Sequence, residues 1–216
     1  MDKSRNERYS PPWLVEAARE VMGAVDIDPA SCPLANTTVG ASRYYTRESN
    51  GLKQRWYGRV FLNPPYGYGI KLWLEKLGRE VAAGRVQQAF VVAPGEILCA
   101  MAAPWFAVLL RGSILVPYER IEFTDPAHGK AAGPRYGAFV SYLGKNQLRF
   151  ARVLGSKGTV LRPATVPTMY EGRTCGRLSF LAQGFLIGSN DANNGGQMDA
   201  GRATPIRPAV AIEWER

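Results

Sequence analysis

Residues 58–66 read Gly-Arg-Val-Phe-Leu-Asn-Pro-Pro-Tyr, and no other stretch constrains the fold as much. Val60-Phe61-Leu62 is apolar and β-prone, and Gly58–Leu62 reads as a buried strand. Asn63-Pro64-Pro65-Tyr66 must end that strand. Each proline fixes φ near about −65° and has no N–H to give to a sheet ladder. The strand therefore delivers an amide, two rigid carbonyl-bearing residues and an aromatic ring at its carboxyl end. In open α/β sheets, that end is where ligands bind.

The remaining pattern predicts such a sheet. Ser10-Pro11-Pro12 opens a helix over Trp13–Met22, with Ser10 as its cap and Gly23 as its stop. Ala24–Ile27 and Arg43–Thr46 read as short strands. Ile70, Trp73, Leu74 and Leu77 share one face of a helix over 69–83 and read as core. Gln88–Ala93 is a strand, Ala102–Leu110 a helix with Cys99 in the apolar stretch before it, and Ser113–Val116 a strand. Arg120–Phe123 and Tyr136–Leu143 read as a terminal antiparallel pair, followed by a helix at Gln147–Leu154. Strands alternating with helices predict an α/β fold: an open, mostly parallel sheet with helices on both faces.

The pattern decays after Gly155, which divides the chain into a folded domain, 1–155, and a C-terminal extension, 156–216. Residues 184–204 are rich in Gly, Asn, Asp and Ala and read as loop or disorder. The net charge is +9, and residues 1–155 hold 20 basic against 13 acidic side chains, so the surplus is not a basic tail. Such a surplus favours a polyanionic partner.

Cys32, Cys99 and Cys175 have no disulfide or zinc spacing, and His128 is the one histidine, so no metal site is expected. The apolar uncharged run Ile97–Leu110 contains Pro104 and is too short for a membrane span. With no signal peptide legible at the N-terminus, a cytoplasmic protein is the expectation.

The chemistry lies in Asn63-Pro64-Pro65-Tyr66. The Asn63 side-chain oxygen and the Pro64 carbonyl can accept both hydrogens of an exocyclic amine. That localises a nitrogen lone pair otherwise conjugated into a ring. Tyr66 can stack on an extruded base, worth about 1–3 kcal/mol. Read alone, the four residues are also compatible with an ordinary turn.

Further segments in order make the chain resemble the phage Dam-type DNA N6-adenine methyltransferases over about Tyr9 to Gly155. They are Ser10-Pro11-Pro12-Trp13-Leu14, Asp26-Ile27-Asp28-Pro29-Ala30-Ser31, Tyr44-Tyr45-Thr46, Asn50-Gly51-Leu52, Trp56, Phe61–Gly67, Trp73 with Lys76, and Arg120-Ile121-Glu122-Phe123. The family pattern has Thr where Ser10 stands and Asp where Asn50 stands. The Phe-x-Gly-x-Gly signature of many methyltransferases is missing.

The resemblance implies a class I methyltransferase-like, Rossmann-like fold and S-adenosylmethionine as methyl donor. It implies double-stranded DNA as partner, a phage or prophage gene, and a role in protecting DNA from restriction. Asn63, Pro64, Pro65 and Tyr66 would hold the flipped adenine. Asp26, Asp28, Pro29 and Ala30 would bind the cofactor, with Pro11 and Trp13 in its wall. Arg43, Arg47, Lys53, Arg55 and Arg59, interleaved with Tyr44, Tyr45, Trp56 and Tyr57, suit a surface that tracks the DNA backbone. The loop Asp125–Arg135 is a second candidate contact. The alternatives are N4-methylation of cytosine, which uses the same amine chemistry, and a non-catalytic DNA-binding module that keeps the fold.

Overall fold

The computed structural model describes residues 8–67, 69–100, 103–125, 129–130 and 137–163. Seven strands form one mixed sheet. In chain order these are β1 (Ile27–Asp28), β2 (Arg43–Tyr44), β3 (Gly58–Leu62), β4 (Val86–Pro94), β5 (Ser113–Pro117), β8 (Ala138–Leu143) and β9 (Gly158–Leu161), with β6 (Thr124–Asp125) and β7 (Gly129–Lys130) making a separate small hairpin. The sheet order is β2-β1-β3-β4-β8-β5-β9. The first four strands in this order are mutually parallel. β8 runs antiparallel between β4 and β5, and β9 is antiparallel to β5.

Four helices, α1 (Pro12–Met22), α2 (Pro33–Val39), α3 (Ile70–Ala82) and α4 (Gln147–Leu154), cover the sheet. Alternation along the strands splits the core in two. Phe61, Phe90, Val92, Val140 and Tyr142 join Leu14, Val21, Phe150 and Leu154 of α1 and α4 on one face. Val60, Leu62, Ala89, Val91 and Phe139 join Ile70, Leu74 and Leu77 of α3 on the other. Each Val, Leu, Ile or Phe side chain among them, fully buried, stabilises the fold by about 1.5–3 kcal/mol.

The α/β reading of the sequence holds, with antiparallel strands at the end of the sheet. Several local expectations need correction. Arg120–Phe123 is not a strand. Its apolar alternation has another cause: Ile121 and Phe123 are buried in the core. The reversed strand Ala138–Leu143 pairs with β4 and β5 instead. Residues 103–108 form turns, and Leu109–Arg111 a single 3₁₀ turn, with Pro104 inside the stretch. Cys99 is exposed in the 3₁₀ segment Gly95–Ala100, not core. Ser10 does not cap α1, whose N-cap is Pro11. A strand also forms past residue 155, at Gly158–Leu161. His128, Arg135 and Cys175 lie outside the described residues, as do 164–216.

Candidate functional site

β1 and β3 are parallel neighbours, with Ile27 in register with Val60. Asp28 therefore ends its strand beside the chain that runs through Leu62 into Asn63. A cavity of about 600 Å³ opens over these two carboxyl ends. Asn63, Pro64, Pro65 and Tyr66 line it together with Asp28, Pro29 and Ala30. Two segments 35 residues apart, each singled out in the sequence, thus meet at one site.

The Asn63 amide is oriented from the far end of the chain. Its Nδ2 donates to the Arg8 carbonyl at 3.0 Å and to Ser10 Oγ at 3.1 Å. Both amide hydrogens are used, and no donor among the described residues engages Oδ1. The acceptor is left for a ligand. Pro64 is buried and Pro65 exposed beside it.

Tyr66 is wedged between groups of different character. Its ring meets Phe123 edge-on at 6.1 Å, and the Arg8 guanidinium lies over it, 5.2 Å from the centroid. The phenol oxygen is buried with no hydrogen-bond partner among the described residues. Burial pushes this phenol far above its ordinary range.

Asp28 is only 3% exposed and pairs with no cation among the described residues. Burial raises its carboxyl to about 6, against the opposing pull of the Ala30 amide, whose N–H donates to Oδ1 at 3.2 Å. At neutral pH this is an unpaired buried carboxylate, suited to a cationic ligand group. The neighbouring Ser31 Oγ is also buried, and its side chain likewise draws the Asp28 carboxyl down.

The loop after β2 is pressed onto this segment at Gly51. A Cβ there would lie 1.9 Å from the Pro29 carbonyl oxygen, so only glycine permits the approach. Asn50 precedes it with φ at 50°, and its Oδ1 accepts from the Leu52 amide at 3.2 Å. The Gly51 carbonyl accepts from Trp56 Nε1 at 2.8 Å, which fixes the loop from beneath.

Other expected residues lie elsewhere. Asp26 does not line the cavity. It binds Arg59 through both carboxylate oxygens, Nη2–Oδ1 at 2.6 Å and Nε–Oδ2 at 2.9 Å, and accepts the Arg59 amide at 2.8 Å. The Arg59 hydrogen bonds hold the Asp26 carboxyl below its usual range. The pair joins β3 to the chain entering β1, so cofactor-binding Asp26 and DNA-binding Arg59 are both better described as a structural clamp. Pro11 and Trp13 are also outside the lining. Trp13 packs on the core, with Lys157 Nζ 5.5 Å from its ring centroid. Arg43, Arg47, Lys53 and Arg55 are all exposed, and of these Arg47 reaches the cavity rim.

Several lining residues escaped the sequence reading. Arg8, Tyr9 and Ser10 cross the cavity as a strap. Tyr9 is held by reciprocal backbone bonds with Thr124 at 2.9 and 3.1 Å, and its hydroxyl lies 3.1 Å from Cys32 Sγ. No local pattern announces a strap whose partners are 23 to 115 residues away. Trp73 read as core, yet it is half-buried, stacks on Trp56 at 6.0 Å and lines the cavity. It lies at the edge of the stripe that Ile70, Leu74 and Leu77 form, where a side chain can be part core and part lining.

No group of three or more potential metal ligands, and no helix long and apolar enough to cross a membrane, occurs among the described residues. In comparison with known proteins, the chain matches no family model and no curated sequence.

Proposed function

We propose that this protein is a DNA N6-adenine methyltransferase of the Rossmann-like class that uses S-adenosylmethionine. The observation that carries the reading is the Asn63 amide. Asn63 lines the cavity with its two amide hydrogens tied to Arg8 and Ser10, which leaves its oxygen as the acceptor without a partner among the described residues.

The Asn63 oxygen and the Pro64 carbonyl accept the two hydrogens of the target amine and draw its lone pair out of conjugation. Tyr66 stacks on the base and holds the amine in line. Such alignment can supply roughly 7–11 kcal/mol of the barrier reduction.

The rest of the cavity fits the cofactor. Asp28 offers a buried anion to a cationic group, and Ser31 a buried hydroxyl beside it. Pro29, Ala30, Phe61 and Trp73 give apolar walls, and a 600 Å³ volume lies within the usual range for such sites. The bound cofactor supplies a methyl group on a positive sulfur. Exposed Arg43, Arg47, Lys53 and Arg55 provide the phosphate-binding surface.

Nucleoside mass spectrometry of DNA from cells making the wild type or Asn63→Ala tests the reading. N6-methyladenine should rise with the wild type alone. N4-methylcytosine would move the assignment to the related enzyme, and neither product would overturn it.

One feature favours a second reading, a DNA-binding module without catalysis. The Arg8 guanidinium already covers the Tyr66 ring on which a base would stack. Absence of binding heat with high-micromolar S-adenosylmethionine would decide for that reading.

A further inference from the structure

We infer that the Arg8 guanidinium is a placeholder for the target base: it occupies the stacking face of Tyr66 in the unbound protein and must leave before a base enters. The inference rests on the methyltransferase reading above.

Arg8 and Tyr66 line the same cavity. The guanidinium carbon lies 5.2 Å from the Tyr66 ring centroid. A base held between two flat groups needs about 3.5–4.0 Å on each side, or about 7–8 Å in all. The gap is too narrow, so a base and the guanidinium cannot share this face. Phe123, which meets the ring edge-on, is fully buried in the core. The face that Arg8 covers is the one open to a ligand.

The backbone of Arg8 is held independently of its side chain. Its carbonyl accepts from Asn63 Nδ2 at 3.0 Å. The next residue, Tyr9, exchanges backbone hydrogen bonds with Thr124 at 2.9 and 3.1 Å, and Ser10 Oγ accepts the second Asn63 hydrogen at 3.1 Å. Withdrawing the guanidinium therefore uncovers the ring and leaves the Asn63 amide oriented. One residue serves both halves of the base pocket: its carbonyl sets the acceptor for the amine, and its side chain guards the surface for the ring.

The contact is suited to exchange. A cation over an aromatic face is held by the ring quadrupole alone, and a stacked base replaces it with an attraction of at least similar strength. The guanidinium then stands at the mouth of the cavity, where the phosphates of the bound strand offer it paired hydrogen bonds.

The test compares two single-stranded probes on the full chain, so that no base-pairing energy enters. One is an oligo-deoxyadenylate, the other an abasic deoxyribose-phosphate chain of equal length. S-adenosylhomocysteine at saturation fills the cofactor site. The ratio of the two affinities isolates the base from the backbone charge. Arg8→Ala keeps the carbonyl that holds Asn63 and uncovers the ring, so the ratio should rise by about threefold to tenfold. Arg8→Lys keeps a cation over the ring and should give a ratio between those of Arg8→Ala and the wild type, an ordering that a loss of folding would not produce. A ratio in Arg8→Ala equal to or below that of the wild type would overturn the inference and leave the methyltransferase reading intact. If the wild type and Arg8→Ala both bind the two chains equally, no base enters beside Tyr66, and the inference and that reading fall together.

Discussion

Ser10 fixes the orientation of Asn63 across 53 residues of chain, its hydroxyl accepting the Asn63 Nδ2 hydrogen at 3.1 Å. The bond decides which end of the amide meets a ligand. Ser10→Ala removes one of two acceptors and lets the amide turn over. Turnover should drop by about fivefold to tenfold, with a stability loss of about 1 kcal/mol. Steady-state kinetics beside thermal melts of the same preparation would check this.

Tyr66 separates ring from hydroxyl. The hydroxyl is buried and unpartnered, so Tyr66→Phe should keep or slightly raise Tm and keep most activity. Tyr66→Ala removes the stacking surface, worth about 1–3 kcal/mol per base, and should abolish measurable methyl incorporation while the protein stays folded. Circular dichroism and a tritium-transfer assay on both variants distinguish the two roles. Full activity in Tyr66→Ala would dispose of the stacking role.

Asp28 gives a pH signature. Its carboxyl is raised from 3.8 to about 6 in the folded protein. The native state therefore binds the proton more tightly than the unfolded chain. The residue's destabilising effect is absent below pH ~4 and complete above pH ~6. At neutral pH it is about 3 kcal/mol, so Asp28→Asn should raise stability there and make it less dependent on pH between 4 and 6. A cationic ligand favours the ionised form, so its binding should release a proton near pH 6 and weaken as pH falls. Calorimetry in buffers of different ionisation heat reads that proton directly.

Removing single basic side chains separates fold from DNA binding. Arg59→Ala should lower Tm by about 2–4 °C, the shift produced by ~1 kcal/mol in a domain of this size, and leave the salt dependence of DNA binding unchanged. Arg47→Ala, Lys53→Ala and Arg55→Ala should each reduce the slope of log affinity against log salt by about 1 and leave Tm alone. A slope that responds to Arg59 but not to the other three would invert the assignment.

What the sequence revealed depended on how local the cause was. Gly58–Leu62 and Gln147–Leu154 were legible to the residue, since apolar run, proline stop and helical spacing all lie within a dozen positions. The meeting of Asp28-Pro29-Ala30 with Asn63–Tyr66 was legible through the resemblance. The resemblance favours Asp28 over Asp26 as the binding residue, but the structural reason, Arg59 bound to Asp26 from 33 residues away, has no local signature. Ser10 carried a helix-cap signature and serves Asn63 instead. Ile121 and Phe123 alternate like a strand yet pack as single inserted side chains. In each case a distant partner outweighed the local pattern.

The sheet order has a consequence for synthesis. Both partners of β5, the strands β8 and β9, come later in the chain. Until residues 138–161 have left the ribosome, Ile114 and Leu115 have no ladder to join, and β4 keeps an open apolar edge. A nascent chain stalled near residue 137 would thus be sticky along that edge, and chaperone engagement during translation should peak there and vanish once Leu161 is out.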